Sequence, residues 1–171
     1  MPWKNGGGMT TEIHVHPGDD GRFAHRISVA DVTADGPFSR FDGDDRHIVV
    51  LDGAGMTLDC GAHGRLELRP LEPVAFSGDW DVAGTLVAGP VRDFNVIVDR
   101  ARASADLVVR TIARPLEIEL QGAATCIVHV LSGDLGIAAA GETIVADASF
   151  AMDPRADTRL VVATIRPRTR P

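Results

Sequence analysis

Apolar and polar residues alternate from Thr11 to His16, and Gly18-Asp-Asp-Gly21 turns that stretch into a second one, Phe23 to Val32. A period of two sends successive side chains to opposite faces of an extended chain, so each stretch predicts a β-strand. After Ala34-Asp-Gly-Pro37 and a polar loop, the run Ile48-Val-Val-Leu51 lies inside Arg46 to Asp52, and Gly53-Ala-Gly55 forms a tight turn into Met56 to Cys60. The same short, turn-bounded pattern predicts strands at Leu66 to Leu68, Val74 to Phe76, Asp81 to Val87, Arg92 to Val98, Leu107 to Ile112 and Leu116 to Leu120. It continues at Cys126 to Leu131, Leu135 to Ala138, Thr143 to Val145, Ser149 to Met152 and Leu160 to Ile165. Only Asp99 to Asp106 reads as a helical turn. Many short strands without a helical stripe predict an all-β sandwich or barrel.

One internal repeat organises these strands. Ile48-Val-Val-Leu-Asp-Gly-Ala-Gly-Met56 is echoed by Val128-His-Val-Leu-Ser-Gly-Asp-Leu-Gly-Ile137, which sets Leu51 against Leu131 and Gly53 against Gly133 at an offset of 80. Each copy continues to a Phe-containing strand, Val74-Ala-Phe76 and Ala148-Ser-Phe150. Strand, glycine turn, strand and a short strand ending in a polar turn is the rhythm of a cupin half. The chain therefore resembles a compact double cupin with two β-barrel or jelly-roll halves. Residues 1-100 form the half expected to carry the pocket, residues 106-171 a structural half, and the boundary falls near 100 to 106.

Composition narrows the function. A net charge of -7 lacks the basic field of a nucleic-acid binder. The one basic cluster, Arg166-Pro-Arg-Thr-Arg-Pro171, reads as a solvated end. Cys60 and Cys126 lie far apart without a CxxC spacing and read as small apolar core residues of a reduced protein. No apolar run approaches a membrane span, and the N-terminus has no apolar signal region, so a soluble, cytoplasmic protein without a membrane partner is expected. Exposed sheet edges and apolar outer strands are compatible with a homodimer.

Many cupins hold a metal through a His-x-His pair, a Glu and a later His directed into the barrel. Counted back from the strand-turn glycines, those positions carry Ser39, Phe41 and Arg46 in the first copy and Glu119, Gln121 and Cys126 in the second. Neither is a ligand set, so no metal or other cofactor is expected there. A fixed Arg46 would repel a cation and attract an anion. His14-Val-His16 has the spacing for one ion, with Asp20 nearby, but it reads first as the polar face of an edge strand. His25, His47, His63 and His129 stand alone in the sequence. Trp3-Lys-Asn-Gly-Gly-Gly8 reads either as a flexible terminus or as an anion cradle, with backbone N–H groups beside Lys4 and Asn5 and Trp3 as a stacking face. Lys4 is the one lysine in a chain that otherwise spells its cations as Arg. There is no Gly-x-Ser-x-Gly elbow, and the absence of Tyr excludes a Tyr acid as in cupin-type sugar epimerases.

The N-terminal stretch and several later ones carry a family resemblance. Met1-Pro-Trp-Lys-Asn-Gly-Gly-Gly8 with Thr11-Glu-Ile13, Arg26-Ile-Ser-Val-Ala30, Gly36-Pro-Phe-Ser-Arg-Phe41 with Gly43 and Asp45-Arg46 open the series. Leu51-Asp-Gly53, Leu71-Glu-Pro73, Phe76-Ser-Gly-Asp79, Gly89-Pro90 and Arg92-Asp-Phe-Asn95 continue it in order to about residue 100. Together they resemble the HutD/Ves family, a double-barrel group of the cupin superfamily associated with bacterial histidine utilisation. The resemblance implies that Trp3, Lys4, Asn5, Arg26, Ser28, Phe38, Ser39, Arg46, Phe76, Gly78, Asp79, Asp93, Phe94 and Asn95 gather around the first pocket. Members usually carry residues ahead of the Pro-Trp-Lys-Asn motif, which opens this chain. His25 stands in place of an aromatic, commonly Trp, and Asp42 in place of a Pro.

The expected function is therefore metal-free binding of a small anionic metabolite in a regulatory or protective role. The resemblance points to histidine-degradation acids such as urocanate or formylglutamate. Lys4, Arg26 and Arg46 would meet carboxylates, Asn5, Ser28 and Asn95 would fix orientation, and Trp3, Phe38 and Phe76 would wall the pocket. The alternative is a cupin-type hydrolase or isomerase with Asp79 or Asp93 as general base.

Overall fold

A computed structural model describes residues 1–3, 6–18 and 21–168. The chain divides into two compact units, Met1–Ala103 and Ser104–Pro171. No helix among the described residues is long and apolar enough to cross a membrane.

The first unit is built from strands β1 (Gly8–Pro17), β2 (Phe23–Val32), β3 (Gly36–Pro37), β4 (Asp44–Asp52), β5 (Met56–Asp59), β6 (Arg65–Leu68), β7 (Val74–Ser77), β8 (Ala83–Leu86) and β9 (Val91–Asp99). They form a five-stranded sheet in the order β1-β2-β9-β4-β7 and a four-stranded sheet in the order β3-β8-β5-β6. Central β9 is buried along almost its whole length, on both faces, which is why its sequence Phe94-Asn-Val-Ile-Val98 lacks a clean alternation. Between the sheets lie Ile48, Val50, Met56, Leu58, Leu68 and Val91, all at most 3% exposed. Burying each such side chain contributes roughly 1.5–3 kcal/mol.

Register across the large sheet decides what faces that interior. Arg26, Ile97 and Arg46 lie in one row, Ser28, Asn95 and Ile48 in the next, and Ala30, Asp93 and Val50 in the third. Residues two apart share a face, so polar and charged groups enter an otherwise apolar interior through adjacent rows.

The second unit comprises β10 (Ala103–Ile112), β11 (Leu116–Ile118), β12 (Thr125–Ser132), β13 (Thr143–Ala146), β14 (Phe150–Met152) and β15 (Thr158–Pro167). Its main sheet runs β10-β15-β12-β13, and β11 pairs with β14. Cys126, Val128, Val130, Leu135, Met152 and Leu160 pack its core.

The repeat recurs as geometry. The β4–β9 ladder shifts register between Val50 and Asp52, and the β12–β15 ladder shifts between Val130 and Ser132. A glycine follows each shift, Gly53 at φ 98° and Gly133 at φ 94°. A side chain at Gly53 would also meet the Pro90 carbonyl oxygen at 2.6 Å. Gly53→Ala is therefore expected to lower unfolding free energy by about 1–3 kcal/mol in urea titration, with an unchanged midpoint contradicting the backbone argument.

Several expectations need correction. Asp99 to Asp106 is not helical: Asp99 accepts from the backbone N–H of Ala101 and of Arg102, making a tight turn that leads into β10. Leu135 to Ala138 is not a strand, because Leu135 N–H closes on the Ala138 carbonyl within a turn. The Phe150 strand is not the counterpart of the Phe76 strand. Phe76 sits in β7 opposite Arg46 of β4, whereas the partner of β12 at that place is β13, with Cys126 opposite Ala146. One shared aromatic in a short strand carries less register information than a bulge and its glycine. The two-residue strand β3 is too short to leave a periodic signal.

Candidate functional site

The rows of β2, β9 and β4 open into a cavity of about 90 Å³ lined by Arg26, Ser28, Arg46, Asp93 and Asn95, with Phe38 and Phe41 from the loop after β3. A wider recess of about 630 Å³ shares Trp3, Thr10, Arg26, Phe38 and Ser39 with it. An inner polar chamber thus adjoins a roomier outer one.

Arg46 dominates the chamber. Its side chain is buried, and its donors meet neutral acceptors, Asn95 Oδ1 at 2.9 Å and the Ser39 carbonyl at 3.2 Å. The guanidinium carbon lies 5.2 Å from the Phe38 ring, 5.4 Å from Phe41 and 5.2 Å from Phe76. Three aromatic faces attract a cation without neutralising it. Among the described residues Arg46 Nε has no hydrogen-bond partner. Burial pulls the Arg46 pKa down to about 10, opposed by Asp93, so the group remains charged at neutral pH.

Asn95 relays between the two ionisable groups: its Oδ1 accepts from Arg46, and its Nδ2 donates to Asp93 Oδ1. Asp93 is 1% exposed, and burial pushes its pKa up to about 7 against the opposing pull of Arg46 and the Asn95 hydrogen bond. Near neutrality, then, protonation of Asp93 switches the chamber from balanced to net positive. At the mouth, Arg26 Nε pairs with Glu12 at 2.9 Å.

The second unit shows that the scaffold does not need this polarity. At the offset of 80, Cys126 stands at the Arg46 position. The ladder partners that correspond to Asp93 and Asn95 are Leu160 and Val162. The same sheet geometry therefore folds around an apolar trio, with the Cys126 thiol pushed up to about 11 by burial. Nor do the residues at the usual cupin metal positions of the first unit fit a metal, since Ser39 gives its carbonyl to Arg46 and the cation itself occupies the Glu position.

Of the residues expected in the pocket, Trp3, Arg26, Ser28, Phe38, Ser39, Arg46, Asp93 and Asn95 line it, and Phe76 lies under the Arg46 guanidinium. Trp3 is fixed by its Nε1 donating to Thr10 Oγ1 at 2.8 Å. Lys4 and Asn5 lie outside the described residues, as do Asp20 and the last three residues of the tail; Arg166 pairs with Asp106. Phe94 does not join the site, because its neighbours Asp93 and Asn95 point to the cavity and it must point the other way. Gly78 sits in the turn against the Phe41 and Asp44 carbonyls. Asp79 is bound by Gly43 N–H, Ser77 and Arg100, which hold its carboxylate far below the usual range, so it ties a turn and is unsuited to be a base. Thr10, Ala30, Pro37, Phe41 and Ile97 also line the cavity. Ala30 and Ile97 were within reach of sequence reasoning as the next same-face residues after Ser28 and Asn95.

The histidines also depart from expectation. His25 does not stand alone: it is opposite His16 in the β1–β2 ladder, with rings stacked at 5.0 Å, and His14 lies 5.4 Å away. Cross-strand pairing cannot be read from a linear spacing.

A sequence family described as HutD matches residues 1–165. A 21.2 kDa protein encoded in the hutC 3' region of Pseudomonas putida is 45% identical over 109 residues, covering 63% of this chain and 57% of that protein's length. A conserved protein of unknown function from Pseudomonas aeruginosa PAO1 superposes with a TM-score of 0.85 at 31% identity, over 96% of this chain and 92% of that one. HutD from Pseudomonas fluorescens SBW25, in a formate condition, gives 0.83 at 32%, over 99% and 94%. A cupin barrel protein of known structure shares the fold alone, at far lower identity.

Proposed function

The chain belongs to the HutD family, which is associated with histidine utilisation, and from that membership we propose that its first unit binds a small anionic metabolite. The observation that carries this reading is Arg46, a buried cation whose hydrogen-bond and ring partners among the described residues are an amide, a carbonyl and three phenyl faces. When Asp93 is protonated, a ligand carboxylate would supply the counter-charge to Arg46 through charge-assisted hydrogen bonds, each worth roughly 1.5–3 kcal/mol before ordering costs. The inner chamber suits a carboxylate head, and the outer recess suits the remainder of a molecule such as urocanate or formylglutamate, with Arg26 and Trp3 at its side. Such a protein would buffer or report the level of a pathway acid.

Thermal denaturation with formate, urocanate and formylglutamate tests this. One of the acids is expected to raise Tm in proportion to the logarithm of its concentration, reaching about 2.7 kcal/mol of stabilisation at a hundredfold excess over Kd. Equal curves with all three acids and with chloride would remove the proposal.

A second reading rests on Asp93, whose pKa near 7 beside a fixed cation suits a general base in hydrolysis or isomerisation. It requires that the protein consume one of these acids, with turnover lost in Asp93→Asn. Stabilisation by an acid that is recovered unchanged leaves binding as the account.

A further inference from the structure

On the opposite face of the β1–β2 pair from the anion chamber, His14, His16 and His25 place their ligand atoms within 4.8 Å of one another. We propose that these three imidazoles form a site for one borderline-soft divalent transition ion, of the class of Zn²⁺, Ni²⁺ or Cu²⁺.

The strands build this arrangement directly. His14 and His16 are two apart on β1 and share a face, and the ladder sets His25 of β2 directly opposite His16. The adjacent residues of that ladder, Val15 and Arg26, point the other way, and Arg26 lines the chamber, so the two sites occupy separate faces. His25 is buried, His14 half-buried and His16 exposed. The imidazoles thus grade from the buried sheet to the exposed surface, where an ion can enter. A tetrahedral ion with bonds of about 2.1 Å holds its nitrogens roughly 3.4 Å apart. The ligand atoms lie within 4.8 Å of one another, and the stacked His16 and His25 rings must rotate for their nitrogens to converge on one ion. Three nitrogen donors, with no carboxylate in the cluster among the described residues, disfavour Mg²⁺ and Ca²⁺, which take oxygen. This site is also distinct from the usual cupin position, which Arg46 fills.

Titration of the full, chelator-stripped chain with ZnCl₂, followed by calorimetry and elemental analysis after gel filtration, tests the proposal. One ion per chain is expected, and Co²⁺ in its place should give the intense visible absorption of tetrahedral coordination. His16→Gln, at an exposed position, and His25→Phe, which keeps a ring but removes the donor, are each expected to weaken binding at least tenfold. Neither should alter stabilisation by an acid in the chamber. Binding below one equivalent, or full affinity in both variants, would overturn the site. Loss of acid binding with zinc binding retained would count against the chamber alone.

Discussion

At pH 6, where Asp93 is mostly protonated, Arg46→Met is expected to weaken acid binding by at least about 100-fold while leaving Tm in the absence of ligand unchanged or higher. The two halves of this result have one cause. While Asp93 is protonated, a buried guanidinium whose hydrogen bonds go to neutral acceptors bears a desolvation cost that those bonds do not fully offset, and replacing such a group by an apolar side chain of similar length is often neutral or stabilising. Removing one member of a desolvated charge pair in a complex, by contrast, costs roughly 2–5 kcal/mol. The methionine would lie among Phe38, Phe41 and Phe76, where a thioether packs well, and Cys126 shows that the equivalent strand tolerates an apolar sulfur side chain. A fall in Tm of several degrees together with retained affinity would make Arg46 a structural residue and the chamber a packing defect.

Asp93→Asn is expected to change how stability depends on pH. The folded-state pKa of Asp93 is raised to about 7 by burial, against roughly 3.9 for an unfolded aspartate. Below pH 4 the carboxyl is protonated in both states and its contribution to stability is fully present. Between 4 and 7 the unfolded chain ionises first, so stability falls as pH rises, and above 7 the loss is complete, on the order of 4 kcal/mol. Asparagine keeps the Asn95 hydrogen bond and removes the charge. The variant should therefore match the parent near pH 4 and exceed it in Tm by several degrees at pH 8. Acid affinity should follow the same carboxyl, weakening in the parent as pH rises through 7 and staying nearly flat in the variant. Parallel stability curves across pH 4 to 8 would mean that Asp93 is ionised throughout.

Much of this site is legible in the sequence, for an identifiable reason. Strands impose a period of two, so spacing alone puts Arg26 with Ser28, and Asp93 with Asn95, on shared faces. The glycine repeat locates Arg46 at a ligand position and identifies it as a cation where a metal ligand would stand. What alternation cannot supply is which strand lies beside which. The stack of His25 on His16, the contact of Phe76 with Arg46 and the loss of Phe150 as its counterpart all depend on ladder register, which is set by bulges and loop lengths across tens of residues. Asp79 fails as a base for a related reason: only the turn geometry reveals that Gly43, Ser77 and Arg100 already occupy its oxygens.

Each unit has one cysteine in its core, Cys60 in the first and Cys126 in the second, both buried and both with thiols made less acidic by burial. A thiol reagent can reach either one only when the surrounding sheets part. The chain thus carries two native clocks for local opening, one per half, distinguishable by mass after digestion. A ligand that closes the first half would slow one clock and leave the other running, so the protein itself can report which half has been filled.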